Sequence, residues 1–172
     1  MRIEVKKTRL RAVSLFSGCG GLDLGFHNRQ CDLIAAVDSD KIALETFARN
    51  ISPEAHCLDV TSSDFDSLLA SMPHCDIVLG GFPCQGFSKA GPKKAADPRN
   101  LLYTRMVDAV RTLRPTIFVA ENVDGLSQNY AGEFLKKIVS DFSSLGYRVS
   151  HDVLDAAQFG VPQHRRRVFF VG

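Results

Sequence analysis

Short apolar runs alternate with amphipathic segments along almost all of the 172-residue chain, and this alternation restricts the fold more than any other feature. The apolar runs have the length of strands, and the segments between them carry apolar residues at helical spacing. Strands separated by helices in this way form βαβ units. The sequence therefore predicts an α/β domain, doubly wound, with a mostly parallel sheet.

The predicted elements cover the chain from residue 12 to its end. The predicted strands are Ala12–Phe16, Asp32–Val37, His56–Leu58, Cys75–Leu79, Thr116–Ala120, Tyr147–Leu154 and Arg167–Val171. The predicted helices are Leu22–Asn28, Asp40–Asn50, Asp64–Ser71, Asn100–Leu113 and Gly132–Leu145. Ser62 and Ser63 are candidate caps of the third helix. A long polar loop from Gly80 to about Pro98 interrupts the pattern, and its length suggests a function.

Composition excludes several classes of protein. Hydrophobic residues make up 45% of the chain and charged residues 23%, which is typical of a globular domain. We find no internal repeat and expect one domain over residues 1–172. No apolar run approaches the roughly 20 residues that a membrane span needs, and the N-terminus lacks the core of a secretory signal. We therefore expect an intracellular, cytoplasmic protein.

Charge and cysteine content give two further limits. The net charge of +2 is too small to indicate a nucleic-acid partner by itself. The five cysteines are odd in number and contain no CxxC pair, which argues against a disulfide framework and against a zinc site. We expect free thiols and no metal.

A glycine-rich loop, Ser17–Gly21, follows the first predicted strand and lets the backbone approach a ligand closely. Asp23 stands where a dinucleotide-binding fingerprint has its third glycine, and an acid there would oppose a pyrophosphate. A ligand with an amino-acid end fits better. Asp38 is placed to accept hydrogen bonds from ribose hydroxyls, and Asp59 from an adenine amino group. The alternative is a tight turn followed by helix caps.

Three further segments, together with this loop, carry a family resemblance. They are Gly80-Gly81-Phe82-Pro83-Cys84-Gln85-Gly86-Phe87-Ser88, Glu121-Asn122-Val123 and Gln163-His164-Arg165-Arg166-Arg167. In order and spacing the four blocks resemble the C5-cytosine DNA methyltransferase family over essentially the whole chain. The Pro-Cys-Gln segment is the most diagnostic of them. The resemblance implies a Rossmann-like fold that uses S-adenosyl-L-methionine.

The resemblance also implies a reaction, methyl transfer to carbon 5 of a cytosine flipped out of DNA. This carbon is a poor nucleophile until a thiolate adds at carbon 6, and Cys84 is the expected nucleophile. Glu121 is expected to deliver a proton to ring nitrogen 3, provided that burial raises its pKa. Arg165 resembles the arginine that contacts the base carbonyl oxygen. Asn122 is expected to hold the neighbouring backbone, and Gln85 belongs to the same catalytic block.

Further residues are assigned by the same resemblance. The expected cofactor-binding residues are Phe16, Gly18, Cys19, Gly20, Gly21, Leu22, Asp38, Ser39, Asp59, Val60, Pro83 and Leu102. The expected DNA-contacting residues are Ser88, Arg99 and Arg167. Ser39 departs from the bulky apolar residue that many relatives carry, which puts adenine stacking in doubt. Taken singly, a cysteine such as Cys84 is more often a small buried hydrophobe than a nucleophile, Glu121 could be a helix-cap partner, and the arginines could form a solvated basic face. The joint order of the three residues favours the functional interpretation.

Family members usually continue into a target-recognition domain and a returning segment, whereas this chain stops after the Gln163–Gly172 block. We therefore expect an incomplete fold with an uncovered apolar patch on one face of the sheet. A second polypeptide that supplies the missing region is one explanation, and a truncated gene is the other. Two other functions stay open: a tRNA cytosine methyltransferase, and a non-catalytic remnant that binds cofactor, nucleic acid or a partner.

Overall fold

Seven strands of the chain form one sheet in the computed structural model, which describes residues 9–27, 30–52, 54–83, 102–127 and 131–172. The strands are β1 (Leu10–Leu15), β2 (Cys31–Asp38), β3 (Ala55–Cys57), β4 (Ile77–Gly80), β5 (Ile117–Val123), β6 (Ser150–Asp155) and β7 (Arg166–Val171). Their order in the sheet is β3-β2-β1-β4-β5-β7-β6. The first five are parallel, and β7 runs antiparallel to both of its neighbours. The predicted mostly parallel sheet is confirmed.

Four helices lie on the two faces of this sheet. They are α1 (Lys41–Asn50), α2 (Ser63–Ser71), α3 (Leu102–Leu113) and α4 (Ala131–Ser143). Apolar residues of α2, α3 and α4 pack in the larger core cluster, whereas Leu44 and Phe47 of α1 belong to a second cluster. Ser62 caps α2, as the sequence predicts, by accepting a hydrogen bond from the Phe65 N–H. The doubly wound architecture is thus confirmed.

The strand order reverses between β1 and β4, and this reversal positions the site. From β1 the chain first proceeds outward through β2 and β3, and it then returns to pair β4 with the other side of β1. The loops that leave the carboxyl ends of β1 and β4 consequently diverge. A crevice opens between such loops in doubly wound sheets.

Two predicted elements are corrected by the structure. The helix predicted over Leu22–Asn28 is wrong: up to His27 the segment contains only one 3-10 turn, Asp23–Gly25. Several glycines precede and end this turn, and their backbone entropy opposes helix nucleation. The fifth strand continues beyond its predicted end at Ala120 to Val123, because β7 pairs with residues 119–123. Glu121 and Asn122 therefore lie within a strand rather than after one.

One region of the sheet face opposite α3 and α4 carries exposed apolar side chains. Ile117 of β5 is 42% exposed and Val171 of β7 is 44% exposed, while their strand neighbours Phe118 and Phe170 are fully buried on the other face. These exposures agree with the expectation of an apolar patch. Within the part of the chain that the structure describes, no helix combines the length and the apolar character that crossing a membrane requires.

Candidate active site

The loop after β1 makes a sharp turn in left-handed backbone. Phe16 has φ 56°, Gly18 φ 52° and Gly20 φ 90°. Glycine adopts these angles without cost, whereas a phenylalanine at φ 56° is strained. Strain of this kind persists only where the surrounding structure enforces it, and it clusters at functional sites. The predicted cofactor loop therefore has a specific, enforced conformation.

Gly20 also lies so close to Phe47 of α1 and to Ile51, which follows α1, that a side chain there would force these residues to shift. A β-carbon added there would lie 2.1 Å from the Ile51 Cδ1 atom and 2.9 Å from Phe47 Cδ2, whereas one added at Gly21 would meet nothing within 4 Å. We expect Gly20→Ala to lower the free energy of unfolding by roughly 2–4 kcal/mol, through the clash and the positive φ together. Gly21→Ala is the matched control. Chemical denaturation measures both, and equal stabilities would contradict the packing described.

Asp38, at the end of β2, joins the glycine loop to the start of α1. One carboxylate oxygen accepts a hydrogen bond from the Gly18 N–H and the other from the Asp40 N–H, each at 2.8 Å. Asp40 in turn caps α1 by accepting from the Ile42 and Ala43 N–H groups. The carboxylate expected to meet a ribose is thus fixed at the edge between β1 and β2, where Ser39 is exposed beside it.

Asp59, which follows β3, is exposed and held by its own turn. Its Oδ1 atom accepts from the Thr61 N–H at 2.8 Å and from the Thr61 hydroxyl at 2.7 Å, and these bonds lower the pKa of the carboxyl. The next residue, Val60, is buried, and its carbonyl accepts from Arg105 Nε at 2.8 Å. This bond ties the turn to α3, which begins at Leu102.

Asp23 is a buried acid beside the same loop. It is 1% exposed, and neither of its carboxylate oxygens accepts a hydrogen bond. Burial raises the pKa of this carboxyl, and the Ser14 hydroxyl offsets part of the shift without completing a bond of normal geometry. A buried acid disfavours a phosphate and favours a ligand with a positive end.

A cleft of about 750 Å³ opens where the carboxyl ends of β1, β4 and β5 meet the β6–β7 hairpin. The predicted site residues that line it are Phe16, Gly18, Cys19, Gly21, Leu22, Glu121, Arg165 and Arg167. Lining residues that the sequence analysis did not assign are Ser14, Leu15, Ser17, Asp23, Gly81, Leu154, Ala156, Phe159, Gln163 and Phe169. The cleft lies at the switch in strand order, where the fold predicts a ligand.

Glu121 is the acid at the centre of this cleft. Its Oε1 atom lies 3.0 Å from Arg167 Nε and 4.0 Å from Arg165 Nη2. Burial raises the pKa of the Glu121 carboxyl, and the two arginines oppose this shift. Arg167 is 23% exposed and Arg165 54%, so Arg167 is the closer and better shielded partner. The structure thus brings these three predicted residues together.

Asn122 of β5 holds the backbone of the segment that follows β4. Its side chain is buried, donates to the Phe82 carbonyl at 2.8 Å and accepts from the Val123 N–H at 2.8 Å. A β-carbon added at Gly81 would lie 3.7 Å from Glu121 Oε2, so the backbone that leaves β4 passes directly beside the acid. The segment that continues to Cys84 therefore begins at the cleft.

We expect Asn122→Ala to lower the free energy of unfolding by about 1–3 kcal/mol, because it leaves the buried Phe82 carbonyl without a partner. Asn50→Ala is the matched control, since the exposed Asn50 amide also donates to a backbone carbonyl, that of Thr46, at 2.8 Å. We expect the control to change stability by less than about 0.5 kcal/mol. Urea denaturation measures both, and a loss as small as the control's would contradict the role of Asn122.

The remaining predicted residues fall into two groups. Those described but not lining the cleft are Gly20, Asp38, Ser39, Asp59, Val60, Pro83, Leu102 and Asn122. Those that lie outside the described residues are Cys84, Gln85, Ser88 and Arg99. Their assignments stay predictions. The lining residues Ala156 and Phe159 carried no signal in the sequence, whereas Gln163 belongs to a block already recognised.

The other cysteines are free thiols. Cys31 and Cys75 are buried, and burial raises the pKa of both thiols, that of Cys75 to about 11. Thiols of this kind carry almost no thiolate at neutral pH. Cys19 and Cys57 are exposed, and Cys19 lines the cleft.

Comparison with known proteins assigns the chain to a family. The model of the C-5 cytosine-specific DNA methylase family matches residues 10–172. The chain belongs to this family. The match begins at β1 and includes the glycine loop, Glu121 and the whole β6–β7 hairpin. All the described residues that line the cleft therefore lie within the range that matches the C-5 cytosine-specific DNA methylase family.

Individual relatives agree with the family match. The chain is 41% identical to the type II methyltransferase M.NgoFVII of Neisseria gonorrhoeae over 94% of this chain and 43% of the relative. It is 36% identical to M.BsuRI of Bacillus subtilis over 99% of this chain and 45% of the relative. The solved structure of the Schizosaccharomyces pombe Dnmt2 methyltransferase, 27% identical, superposes with a TM-score of 0.70 over 95% of this chain and 50% of that one. The chain thus spans about half the length of the methylases that it matches.

Proposed function

We propose that this chain carries the catalytic half of a DNA cytosine-5 methyltransferase, which moves a methyl group from S-adenosyl-L-methionine to carbon 5 of a cytosine. The observation that carries the proposal is Glu121, a largely buried acid with a raised pKa that faces a cleft beside two arginines. Burial favours the protonated form that a proton donor needs, while the two arginines oppose it. Membership of a DNA methylase family supports DNA as the substrate.

The described residues fit the methyl donor. Asp23 lines the cleft as a buried acid without a hydrogen-bond partner, which suits the amino-acid end of this donor and opposes a phosphate. Asp38 would face the ribose and Asp59 the adenine, and the glycine loop would approach the rest of the molecule. When bound, S-adenosyl-L-methionine supplies an electrophilic methyl group on a sulfonium sulfur.

The chain's own residues would activate the base. The thiolate of Cys84 adds to carbon 6 of the cytosine, and the electron pair displaced from the ring double bond makes carbon 5 nucleophilic. Glu121 donates its proton to nitrogen 3, which prevents negative charge from accumulating on the ring. Arg165 and Arg167 stabilise the carbonyl oxygen of the base. After methyl transfer the nitrogen 3 proton returns to the Glu121 carboxylate, and a water molecule takes the proton from carbon 5 as the thiolate leaves carbon 6.

The described residues that precede Cys84 support this proposal. Pro83 is the last described residue before it, and the chain from Gly81 to Cys84 spans at most about 11 Å. Gly81 lies beside Glu121. We therefore propose that Cys84 meets the base in the cleft that Glu121 faces from β5. Because a base inside the duplex cannot enter such a cleft, the cytosine must flip out of the helix.

We further propose that target recognition comes from outside these 172 residues, on a second polypeptide or on further chain. The chain spans 43–45% of the two type II methyltransferases described above. Ile117 and Val171 expose apolar surface on one sheet face, which suits a contact with such a segment.

The test is transfer of labelled methyl from S-adenosyl-L-methionine to cytosine-containing duplex DNA. It is run with the chain alone and with the polypeptide encoded by the neighbouring reading frame. Labelled 5-methylcytosine in the DNA supports the proposal. Label found in tRNA but not in DNA would replace DNA by tRNA as the substrate. Binding of the methyl donor without any transfer under either condition would indicate a non-catalytic remnant.

A further inference from the structure

The link between β6 and β7, residues 156–165, forms one wall of the cleft without a core of its own. Ala156, Phe159, Gln163 and Arg165 of this link line the cleft. Phe159 is 67% exposed, and every residue from 158 to 165 is classed as exposed. Apolar burial therefore contributes little to holding this wall in place, so polar contacts must determine its shape.

Asp155, the last residue of β6, supplies those contacts. Its Oδ1 atom accepts from the Ala157 N–H at 3.2 Å and from the Arg165 N–H at 3.0 Å. Its Oδ2 atom lies 3.0 Å from His164 Nδ1. One carboxylate thus binds residues near both ends of the link, and a backbone bond from the Ala156 N–H to the Arg165 carbonyl closes the same loop.

These bonds fix residues that the proposed reaction needs. The Arg165 backbone is held on both its N–H and its carbonyl, and its side chain reaches to within 4.0 Å of Glu121. Gln163 stands two residues before it on the same wall. Asp155 itself is absent from the cleft lining, so its effect on the base must pass through the link that it holds.

We infer that Asp155 is a positioning residue for the base-binding side of the cleft. Its carboxylate holds the 156–165 link so that Gln163 and Arg165 face the flipped cytosine. The inference rests on the proposed function, because only that function supplies a cytosine for Gln163 and Arg165 to contact. It separates two sets of residues: the methyl donor is expected to contact the loops after β1, β2 and β3, whereas the hydrogen bonds of Asp155 go to the 156–165 link.

The test compares Asp155→Ala and Asp155→Asn with wild type in single-turnover methyl transfer. We expect Asp155→Ala to slow transfer by about 10–100-fold, because misplacing a substrate-facing group by about 1 Å costs that much. The dissociation constant for S-adenosylhomocysteine should stay within about twofold, since the hydrogen bonds of Asp155 go to the link instead. Asp155→Asn should recover most of the rate, because an amide oxygen still accepts both backbone N–H groups. Amide exchange at Ala157 and Arg165 should accelerate only in Asp155→Ala.

Asp152→Ala is the control, because Asp152 lies on the same strand and its carboxylate accepts from the neighbouring Val153 N–H. Wild-type rates in Asp155→Ala would overturn the inference and leave the proposed function intact. A parallel loss of S-adenosylhomocysteine affinity would also overturn it, since general unfolding would then explain the effect. Equal losses of rate in Asp155→Ala and Asp155→Asn would also overturn the inference. Both variants lack the charge, so loss of charge rather than loss of the backbone hydrogen bonds would then explain the slower transfer. Inactive wild-type protein under every condition would overturn the proposed function, and the inference with it.

Discussion

Cys84→Ser will lower the rate of methyl transfer by at least about 10³-fold, because a serine hydroxyl stays protonated at neutral pH and cannot add to carbon 6. Uptake of labelled methyl into duplex DNA measures the loss. The covalent complex with DNA that contains 5-fluorocytosine should disappear at the same time, since trapping requires both the thiolate adduct and methyl transfer. The dissociation constant of S-adenosylhomocysteine should change little.

Cys57→Ser is the matched control for this substitution, because Cys57 is an exposed thiol that is not assigned to the site, and a serine hydroxyl can also donate to the Ser39 carbonyl that the thiol contacts. It should retain wild-type rates and form the trapped complex. If Cys84→Ser transferred methyl within about tenfold of wild type, Cys84 would not be the nucleophile and the proposed chemistry would be wrong. A trapped complex in that variant would lead to the same conclusion.

Glu121→Gln will lower the rate of transfer by about 10²–10⁴-fold, the range in which a general acid contributes. The variant can still donate a hydrogen bond to nitrogen 3 but cannot release a proton. Because the protonated acid is the active form, the wild-type rate should fall as the pH rises through the folded-state pKa of Glu121, which burial raises. The variant should lack this part of the pH profile. Glu133→Gln, at an exposed position of α4, is the control.

Although Glu121→Gln should slow methyl transfer, it should not lower the stability of the protein at neutral pH. A carboxyl whose pKa is raised by folding contributes stability that is fully present below its ordinary pKa. That contribution is lost as the pH rises through the folded-state value. At neutral pH Glu121→Gln should therefore unfold at the same or a higher temperature than wild type, with the difference shrinking in acid. A large loss of stability at neutral pH would show that the ion pair with Arg167 outweighs the cost of burial.

Much of the fold could be predicted because it depends on local periodicity. Helix α1 and the central strands β1, β2 and β4 follow the spacing of their apolar residues, and the Ser62 cap depends on residues next to it. Elements decided by distant pairing could not be predicted. The length of β5, for example, depends on its pairing with β7.

In the candidate site, too, features that depend on local sequence could be predicted, whereas features that depend on distant contacts could not. Glu121 and the two arginines could be predicted because their residue types occur in recognisable blocks, and all three line the cleft. The register that places Arg167 nearest to Glu121 comes from pairing across the sheet, which residue types do not reveal. Asp155 was missed because it binds the backbone N–H groups of Ala157 and Arg165. Almost every residue type has such a group, so the partners of Asp155 leave no pattern in the sequence.

The antiparallel placement of β7 has a consequence for how the protein is made. The nearest partner of Glu121 lies on β7, which follows the helices and the other six strands of the described residues in chain order. Until β7 docks, β5 presents an open edge where any extended peptide could pair. A chain interrupted before β7 would therefore lack the arginine nearest to Glu121 and one wall of the cleft.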